Sequence, residues 1–98
     1  MLNQSIVVGR IEELTSSDVF VRVTRNFKNK NTGEYDSDLL KVTLGSSLSD
    51  SLPNRCAVGD TIAVKARLEQ DTYYNNVRII AEKISFIGSS SDESEDKE

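Results

Sequence analysis

Apolar and polar residues alternate with a period of two along most of the chain, and this spacing predicts β-strands that each turn one face toward a core. Five segments show the alternation, and Gly9 indicates a bend or bulge in the first of them. The parity changes between Ala81 and Lys83, where a β-bulge is expected. The residues predicted to face the core are, segment by segment, Ile6 and Val8, then Val19, Val21 and Val23, then Leu40, Val42 and Leu44, then Ile62, Val64, Ala66 and Leu68, and finally Val77, Ile79, Ile84 and Phe86.

One short helix is expected between the third and fourth strand segments. The run from Ser47 to Asp50 fits a capping box, and Leu48 and Leu52 lie four residues apart on one helix face. Pro53 disfavours helical geometry at the residue before it, so the helix should end at Leu52. Five strands with a small helix in this place predict an all-β OB-fold, a five-stranded Greek-key barrel. An SH3-like barrel also has five strands, but the helix position favours the OB arrangement.

The acidic charge of the chain is concentrated at one end. The formal net charge is -4, and residues 89–98 hold one basic and five acidic residues, which accounts for all of it. Residues 1–88 are therefore formally neutral, and we expect them to form one domain. The last ten residues are serines and charged residues that cannot bury apolar area, so a disordered acidic tail is expected at 89–98.

Several classes of site are excluded by composition. The chain has no histidine, which removes histidine metal ligands and histidine general bases, and its single cysteine, Cys56, cannot form an internal disulfide. We expect Cys56 to be a small core residue. No apolar run has the length of a membrane span or of a signal peptide, so a cytoplasmic location is expected.

Three carboxylates, Glu34, Asp36 and Asp38, alternate on one strand face, a spacing that would suit a nuclease metal site. No further carboxylate, histidine or phosphate-binding loop supports such a site, and solvated surface carboxylates are the favoured interpretation. We expect no metal, no cofactor and no catalytic activity.

A basic segment with aromatic residues joins the second and third strand segments. Arg25, Lys28 and Lys30 surround Phe27, and Tyr35 follows an Asn-Thr-Gly turn. A basic hairpin with aromatic faces can hold a phosphate backbone and stack bases at the same time. The segment therefore indicates binding to single-stranded nucleic acid.

Four segments, 1–11, 23–40, 59–68 and 84–88, follow one another in an order and spacing that resemble a known family. They are similar to the patterns MLNxVxLVGRL, VNRxF…GExxADFI and KGxxVxVxGRL and to the closing strand of the bacterial-type single-stranded DNA-binding proteins and their phage-encoded relatives. The resemblance covers residues 1–88. It implies a non-catalytic OB-fold domain that binds single-stranded DNA in replication or recombination, and homo-oligomers, dimers or tetramers, built partly through the first strands.

The resemblance also implies positions for DNA contacts. It places Phe27 at a base-stacking position and Tyr73 at the aromatic of the distal hairpin, whereas Tyr74 should point to the opposite face. Phe20 faces outward, where it stacks a base or fills a subunit interface. The tyrosines also simply fit twisted strands, and outward basic residues are usually solvated. The predicted nucleic-acid-binding residues are Phe20, Arg22, Arg25, Phe27, Lys28, Lys30, Tyr35, Lys41, Tyr73 and Tyr74.

The chain departs from the family pattern in ways that suggest a minimal version, such as a phage or mobile element encodes for use in a bacterial cell. Two loops are short, and the family's aromatics are replaced by Leu39 and Gly45. The family's long linker and its terminal acidic motif ending in Pro-Phe are also missing. The outward apolar residues Val7, Leu39 and Ile80 fit subunit contacts.

Two further interpretations stay open at this point. Because two stacking positions are lost, the chain is alternatively an OB-fold adaptor that recruits replication or recombination proteins with weak DNA affinity. The acidic tail either competes with DNA for the basic groove and is freed for basic partners when DNA binds, or it only solubilises the protein. A stacking platform also does not by itself distinguish DNA from RNA.

Overall fold

The structure of the protein, a computed structural model, describes residues 1–89. Five strands form a closed barrel in the order β1-β2-β3-β5-β4, and one short α-helix lies between β3 and β4. This topology confirms the predicted OB-fold. The proposed tail falls, from residue 90 onward, outside the described residues. The elements are β1 (Ser5–Leu14), β2 (Asp18–Lys28), β3 (Tyr35–Thr43), α1 (Ser46–Ser51), a 3-10 turn (Leu52–Asn54), β4 (Thr61–Asp71) and β5 (Asn76–Gly88).

The first strand is shared between the two sides of the barrel. Residues 5–10 of β1 pair antiparallel with β4, and residues 10–14 pair antiparallel with β2. Gly9 lies next to this change of partner, where a Cβ atom would meet the carbonyl oxygen of Arg22 at 2.2 Å. A glycine is therefore required by the close approach of the two backbones. The irregularity in the pairing lies slightly downstream, between Ile11 and Glu13.

The barrel is closed by a short parallel contact between β3 and β5, and it surrounds one apolar core. The parallel contact consists of the pairs Val42 with Ile79 and Thr43 with Ile80. Cys56 lies in the core, as predicted. The largest fully buried side chains are Ile11, Val19, Val21, Val42, Leu52, Ile62 and Val64.

The predicted orientation of the first strand is wrong by one residue. Val7 is 8 % exposed and belongs to the core, whereas Ile6 is 61 % exposed and Val8 is also exposed. Val7 lies opposite Val64 across the β1–β4 pair, and directly paired residues turn their side chains to the same face. Because three consecutive residues are apolar, the sequence pattern does not distinguish the two faces here.

The β4–β5 hairpin extends beyond the barrel, which accounts for further differences from the prediction. Past Ala66, the ladder of β4 continues with β5 alone, and the predicted core residues Leu68 and Val77 are exposed because nothing within residues 1–89 buries this part of the ribbon. Phe86, near the other end of β5, is exposed as well. The bulge expected between Ala81 and Lys83 is confirmed, because Lys65 pairs with Lys83 and the next residue, Ala66, pairs with Ala81.

Ile80 was expected to be an outward contact residue, and the structure buries it within the single chain. It is not part of the core cluster, and it lies opposite Arg67 of β4 and beside Thr43 of β3. Ile80 is thus covered by its own chain and offers no surface to a partner.

The two predicted apolar residues face the core, Leu48 from the helix and Leu52 from the 3-10 turn, but the helix starts differently from the prediction. Leu52 is fully buried and Leu48 packs against the core. The N-cap is Gly45, without a side-chain capping bond, so the capping box at Ser47 does not form. The α-helix ends at Ser51, just before the residue that Pro53 restricts.

Candidate nucleic-acid interface

The β2–β3 hairpin bulges at the residues that the sequence singles out. Thr24 pairs with Ser37 and Lys28 pairs with Tyr35, so three residues of β2 face one residue of β3. Because an unpaired insertion bends a strand and redirects its side chains, the bulge turns the segment around Phe27 out of the regular ladder.

Asn29 closes the tip of this hairpin. Its backbone N–H donates to the carbonyl of Glu34 at 2.7 Å, and its side-chain oxygen accepts from the backbone N–H groups of Asn31 and Thr32 at 2.8 and 3.3 Å. Gly33 has φ +75°, a left-handed conformation that glycine adopts without strain. The tip is therefore held by local hydrogen bonds and presents its neighbours in a defined arrangement.

Both aromatic residues of the hairpin face solvent. Phe27 is 67 % exposed, and Tyr35 is exposed with the ammonium of Lys28 5.8 Å from its ring centroid. That distance is within the range of a cation–π contact. Lys30 is exposed near the tip. The arrangement offers flat apolar faces beside positive charge, as base stacking with phosphate contacts requires.

The two arginines of β2 are bound by carboxylates. Arg22 donates from Nε and Nη2 to Glu12 at 2.7 and 3.2 Å, and Arg25 donates from the same two atoms to Asp38 at 3.1 and 2.9 Å. The hydrogen bonds from the guanidinium groups lower the pKa of Glu12 and of Asp38. These carboxylates are thus held ionised and paired.

The conceivable nuclease site is not assembled. Asp38 is paired with Arg25, and Asp36 accepts a hydrogen bond from the side-chain amide of Asn29 at 2.9 Å. Within residues 1–89, no three side chains of metal-ligating type form a cluster that could hold a metal ion.

The distal β4–β5 hairpin presents two tyrosines together. Tyr73 and Tyr74 are exposed and their rings pack edge-on, with centroids 4.7 Å apart. The carboxylate of Asp71 accepts hydrogen bonds from both backbone N–H groups at 3.1 and 3.3 Å. The expectation that the two rings point to opposite faces is wrong, because these residues lie in the turn, where strand alternation does not apply.

A cleft of about 260 Å³ connects this hairpin to β3. Its lining includes Lys41 and Thr43 of β3, Tyr74 of the turn, and Arg78 of β5. Arg78 was not among the predicted binding residues, although its outward position in the alternation was a usable signal. The cleft brings Lys41 and Tyr74, from opposite sides of the β3–β5 contact, to one site.

The remaining predicted residues lie on the outer face of β2. Phe20 is half-buried and lies opposite Lys41 across the β2–β3 pair. Arg22 contributes to a second cleft of about 430 Å³, formed with Arg10, Gly9 and Thr61 where β1 changes partner. The predicted residues thus fall into a hairpin group around Phe27, a cleft group around Lys41, and Arg22 beside β1.

Comparison with solved structures connects this geometry to one group of proteins. A mitochondrial single-stranded DNA-binding protein from S. cerevisiae superimposes with a TM-score of 0.66 at 13% identity, covering 91% of this chain and 98% of its own. The chain shares the OB-fold of single-stranded DNA-binding proteins. A small single-stranded DNA-binding protein from Mycoplasma pneumoniae gives 0.65 at 22% identity over 87% and 93% of the chains.

A third similar structure contains nucleic acid. It is the Plasmodium falciparum single-stranded DNA-binding protein in complex with single-stranded DNA, with a TM-score of 0.61 at 14% identity over 89% of this chain and 96% of that one. Identities this low show a common fold. No protein-family model matches the chain, and comparison with curated protein sequences gives no significant match. Among residues 1–89, no helix has the length and apolar character needed to cross a membrane.

Proposed function

We propose that the protein binds single-stranded DNA without catalysis and with little sequence preference, in DNA replication or recombination. The observation that carries the proposal is the pair of hairpins with solvent-facing aromatics, Phe27 and Tyr35 on one and Tyr73 and Tyr74 on the other. Lys28 and Lys30 lie on the first of these hairpins, and Lys41 is exposed on β3. The similar protein solved with single-stranded DNA supports the same function.

The binding mode follows from these groups. Bases stack on Phe27, Tyr35 and the distal tyrosines, and each stacked base contributes about 1–3 kcal/mol. Phosphates are contacted by Lys28, Lys30 and other basic residues of the same surface. If about four phosphates are neutralised, the logarithm of affinity falls with the logarithm of salt concentration at a slope near -3.

The test is fluorescence anisotropy with labelled oligo-dT and a duplex of equal length. We expect micromolar or tighter binding to oligo-dT and a clear preference over duplex. The double variant Phe27→Ala with Tyr73→Ala should lose roughly 2–6 kcal/mol of binding free energy, because two stacking faces are removed. The matched control is Phe86→Ala, which removes an exposed aromatic ring at the other end of β5 and should leave affinity near that of the unsubstituted protein. Equal binding to duplex, or no loss in the double variant, would contradict the proposal.

The second candidate is an OB-fold adaptor that recruits replication or recombination proteins. The exposed Leu39 favours it, because the resemblance places a stacking aromatic at that position. A protein that fails to bind oligo-dT in the anisotropy experiment, while remaining folded, supports the adaptor instead.

We also propose that the protein is a homo-oligomer, with the outer face of β1 as the subunit contact. Ile6 and Val8 are exposed on that face, and Val8 lies opposite Ala63 of β4, so the apolar area continues onto the next strand. An exposed apolar patch on a regular strand face is typical of interfaces. Val7, which the sequence pattern assigned to the subunit contact, is buried in the core instead.

A further inference from the structure

Both arginines of β2 bind their carboxylates through the same edge of the guanidinium group. In each case Nε and Nη2 donate to the two oxygens of one carboxylate, at distances between 2.7 and 3.2 Å. This fork geometry matches a phosphate as well as it matches a carboxylate. Glu12 and Asp38 therefore occupy the positions that two phosphate oxygens would take at Arg22 and Arg25.

Neither ion pair is buried. The four side chains are between 37 and 45 % exposed. Exposed ion pairs contribute little to stability, because water screens them and ordering two long side chains costs entropy. A phosphodiester carries one negative charge, as a carboxylate does, so it can replace the carboxylate without a change in the charge at the arginine.

The two pairs lie near each other in the β2–β3 hairpin but on opposite faces of its ladder, because Asp38 is directly paired with Val23, which packs against the core, whereas Arg22 lies on the outer face. Arg22 and Arg25 are three residues apart on β2, Asp38 lies opposite Val23, and a third nitrogen of Arg22 donates to Ser37 at 3.4 Å. The hydrogen bond from Arg25 is the main cause that lowers the pKa of Asp38, and the charge of Arg22 adds a smaller contribution. Each arginine is therefore a separate subsite, and each carboxylate competes at its own arginine.

The lysines of the hairpin differ from the arginines. Over the residues that the structure describes, Lys28 and Lys30 take part in no ion pair, whereas Arg22 and Arg25 each hold a carboxylate. The lysines can contact phosphate without displacing a carboxylate.

We propose that Glu12 and Asp38 are intramolecular competitors of DNA, which fill two phosphate subsites at Arg22 and Arg25 and are displaced when a strand binds. The inference rests on the proposed function. Binding at each arginine is an exchange of one anion for another, so these carboxylates lower the affinity for DNA and limit how much the arginines contribute to it.

The experiment measures oligo-dT affinity for Asp38→Asn, Glu12→Gln and their combination, between about 50 and 200 mM NaCl. Each single substitution should tighten binding by about two- to fivefold at the lower salt concentration, since that is the range of an exposed ion pair. The matched control is Glu69→Gln, which removes the same charge from an arginine pair of similar exposure on β4. Arg67 keeps Glu82 at 3.6 Å in that variant, so affinity should rise less.

A second readout separates exchange from a general effect of charge. Arg25→Ala should weaken binding more in the Asp38→Asn background than in the unsubstituted protein, because the arginine is released there. If Asp38 only positions Arg25 for DNA, Asp38→Asn weakens binding and the exchange is overturned. Equal tightening by Glu69→Gln overturns the exchange as well.

The outcomes also separate this inference from the proposed function. When the unsubstituted protein binds oligo-dT and Asp38→Asn does not tighten that binding, the exchange alone fails. When the unsubstituted protein does not bind, both proposals fail. Thermal unfolding of every variant verifies that it is folded.

Discussion

Gly9 has no side chain at a point where β1 and β2 nearly touch. A Cβ atom there would lie 2.2 Å from the carbonyl oxygen of Arg22 and 2.7 Å from the Cγ1 atom of Val21. One of these atoms belongs to the backbone and the other to a fully buried side chain, so neither can move aside cheaply.

We therefore expect Gly9→Ala to lower the free energy of unfolding by about 1–3 kcal/mol, the usual cost of overfilling a packed site. Urea denaturation measures the effect. Gly88→Ala is the control, because nothing lies within 4 Å of a Cβ added at that glycine. Equal midpoints for the two variants would show that the backbones separate without cost.

Single residues with purely local environments could be predicted from the sequence. Polar neighbours on both sides of Phe27 indicated its exposure, and the type of Cys56 indicated its burial. The carboxylate partners of Arg22 and Arg25 could not be predicted, since each lies ten or more positions away and is brought there by strand register. The paired rings of Tyr73 and Tyr74 depend on turn geometry, which strand alternation does not describe.

Among the elements, β1 shows where a period of two is insufficient. Its three consecutive apolar residues fit either face, and only pairing with β4 places Val7 inside and Ile6 outside. The same strand carries the proposed subunit contact, so the orientation decides which residues form it.

Substitution of these two neighbours tests the contact. Ile6→Asp should leave the chain folded and reduce the molar mass in solution, because it places a charge in an apolar interface. Val7→Asp should instead unfold the chain, because it buries an unpaired charge in the core. Size-exclusion chromatography with light scattering gives the mass, and circular dichroism verifies the fold. An unchanged mass for folded Ile6→Asp excludes this face as the interface.

The β4–β5 pair is the element that the pattern predicted least well at its tip. The strands continue past the barrel as a two-stranded ribbon, where apolar residues such as Val77 are exposed in the part of the chain that the structure describes. Alternation reports which residues share a face, but it does not report where the supporting layer ends.

At the scale of the whole molecule, the helix position and the strand count were enough to predict the barrel. The residue pairs that close the barrel could not be predicted, because the β3–β5 contact joins distant residues through two pairs. The charge distribution also acts on the whole molecule. Because the chain has no histidine, the side chains that titrate below neutral pH are carboxylates.

The dependence of stability on pH follows from the paired carboxylates. Their ion pairs lower the pKa of Glu12 and Asp38 in the folded state, so the folded protein binds fewer protons than the unfolded chain in acid. Their contribution is fully present above the unfolded values, near pH 4.3 and 3.9, and is lost as the pH falls through the folded values. Urea denaturation should give a nearly constant free energy of unfolding between about pH 5 and 8 and a decline below about pH 4. The combined Glu12→Gln and Asp38→Asn variant should decline less. A midpoint already falling between pH 7 and 6 would require another titrating group.

The contact between β3 and β5, called the seam here, has two residue pairs and is the shortest of the strand pairings that form the barrel. Separation of these strands requires the fewest backbone hydrogen bonds to break, so local opening with exchange of amide hydrogens should begin there. The smaller cleft spans this seam, with Lys41 and Thr43 on one side and Arg78 and Ile79 on the other. A nucleic-acid strand bound in this cleft would contact both β3 and β5. Its binding should therefore slow the exchange of amide hydrogens at the β3–β5 contact and stabilise the closed barrel.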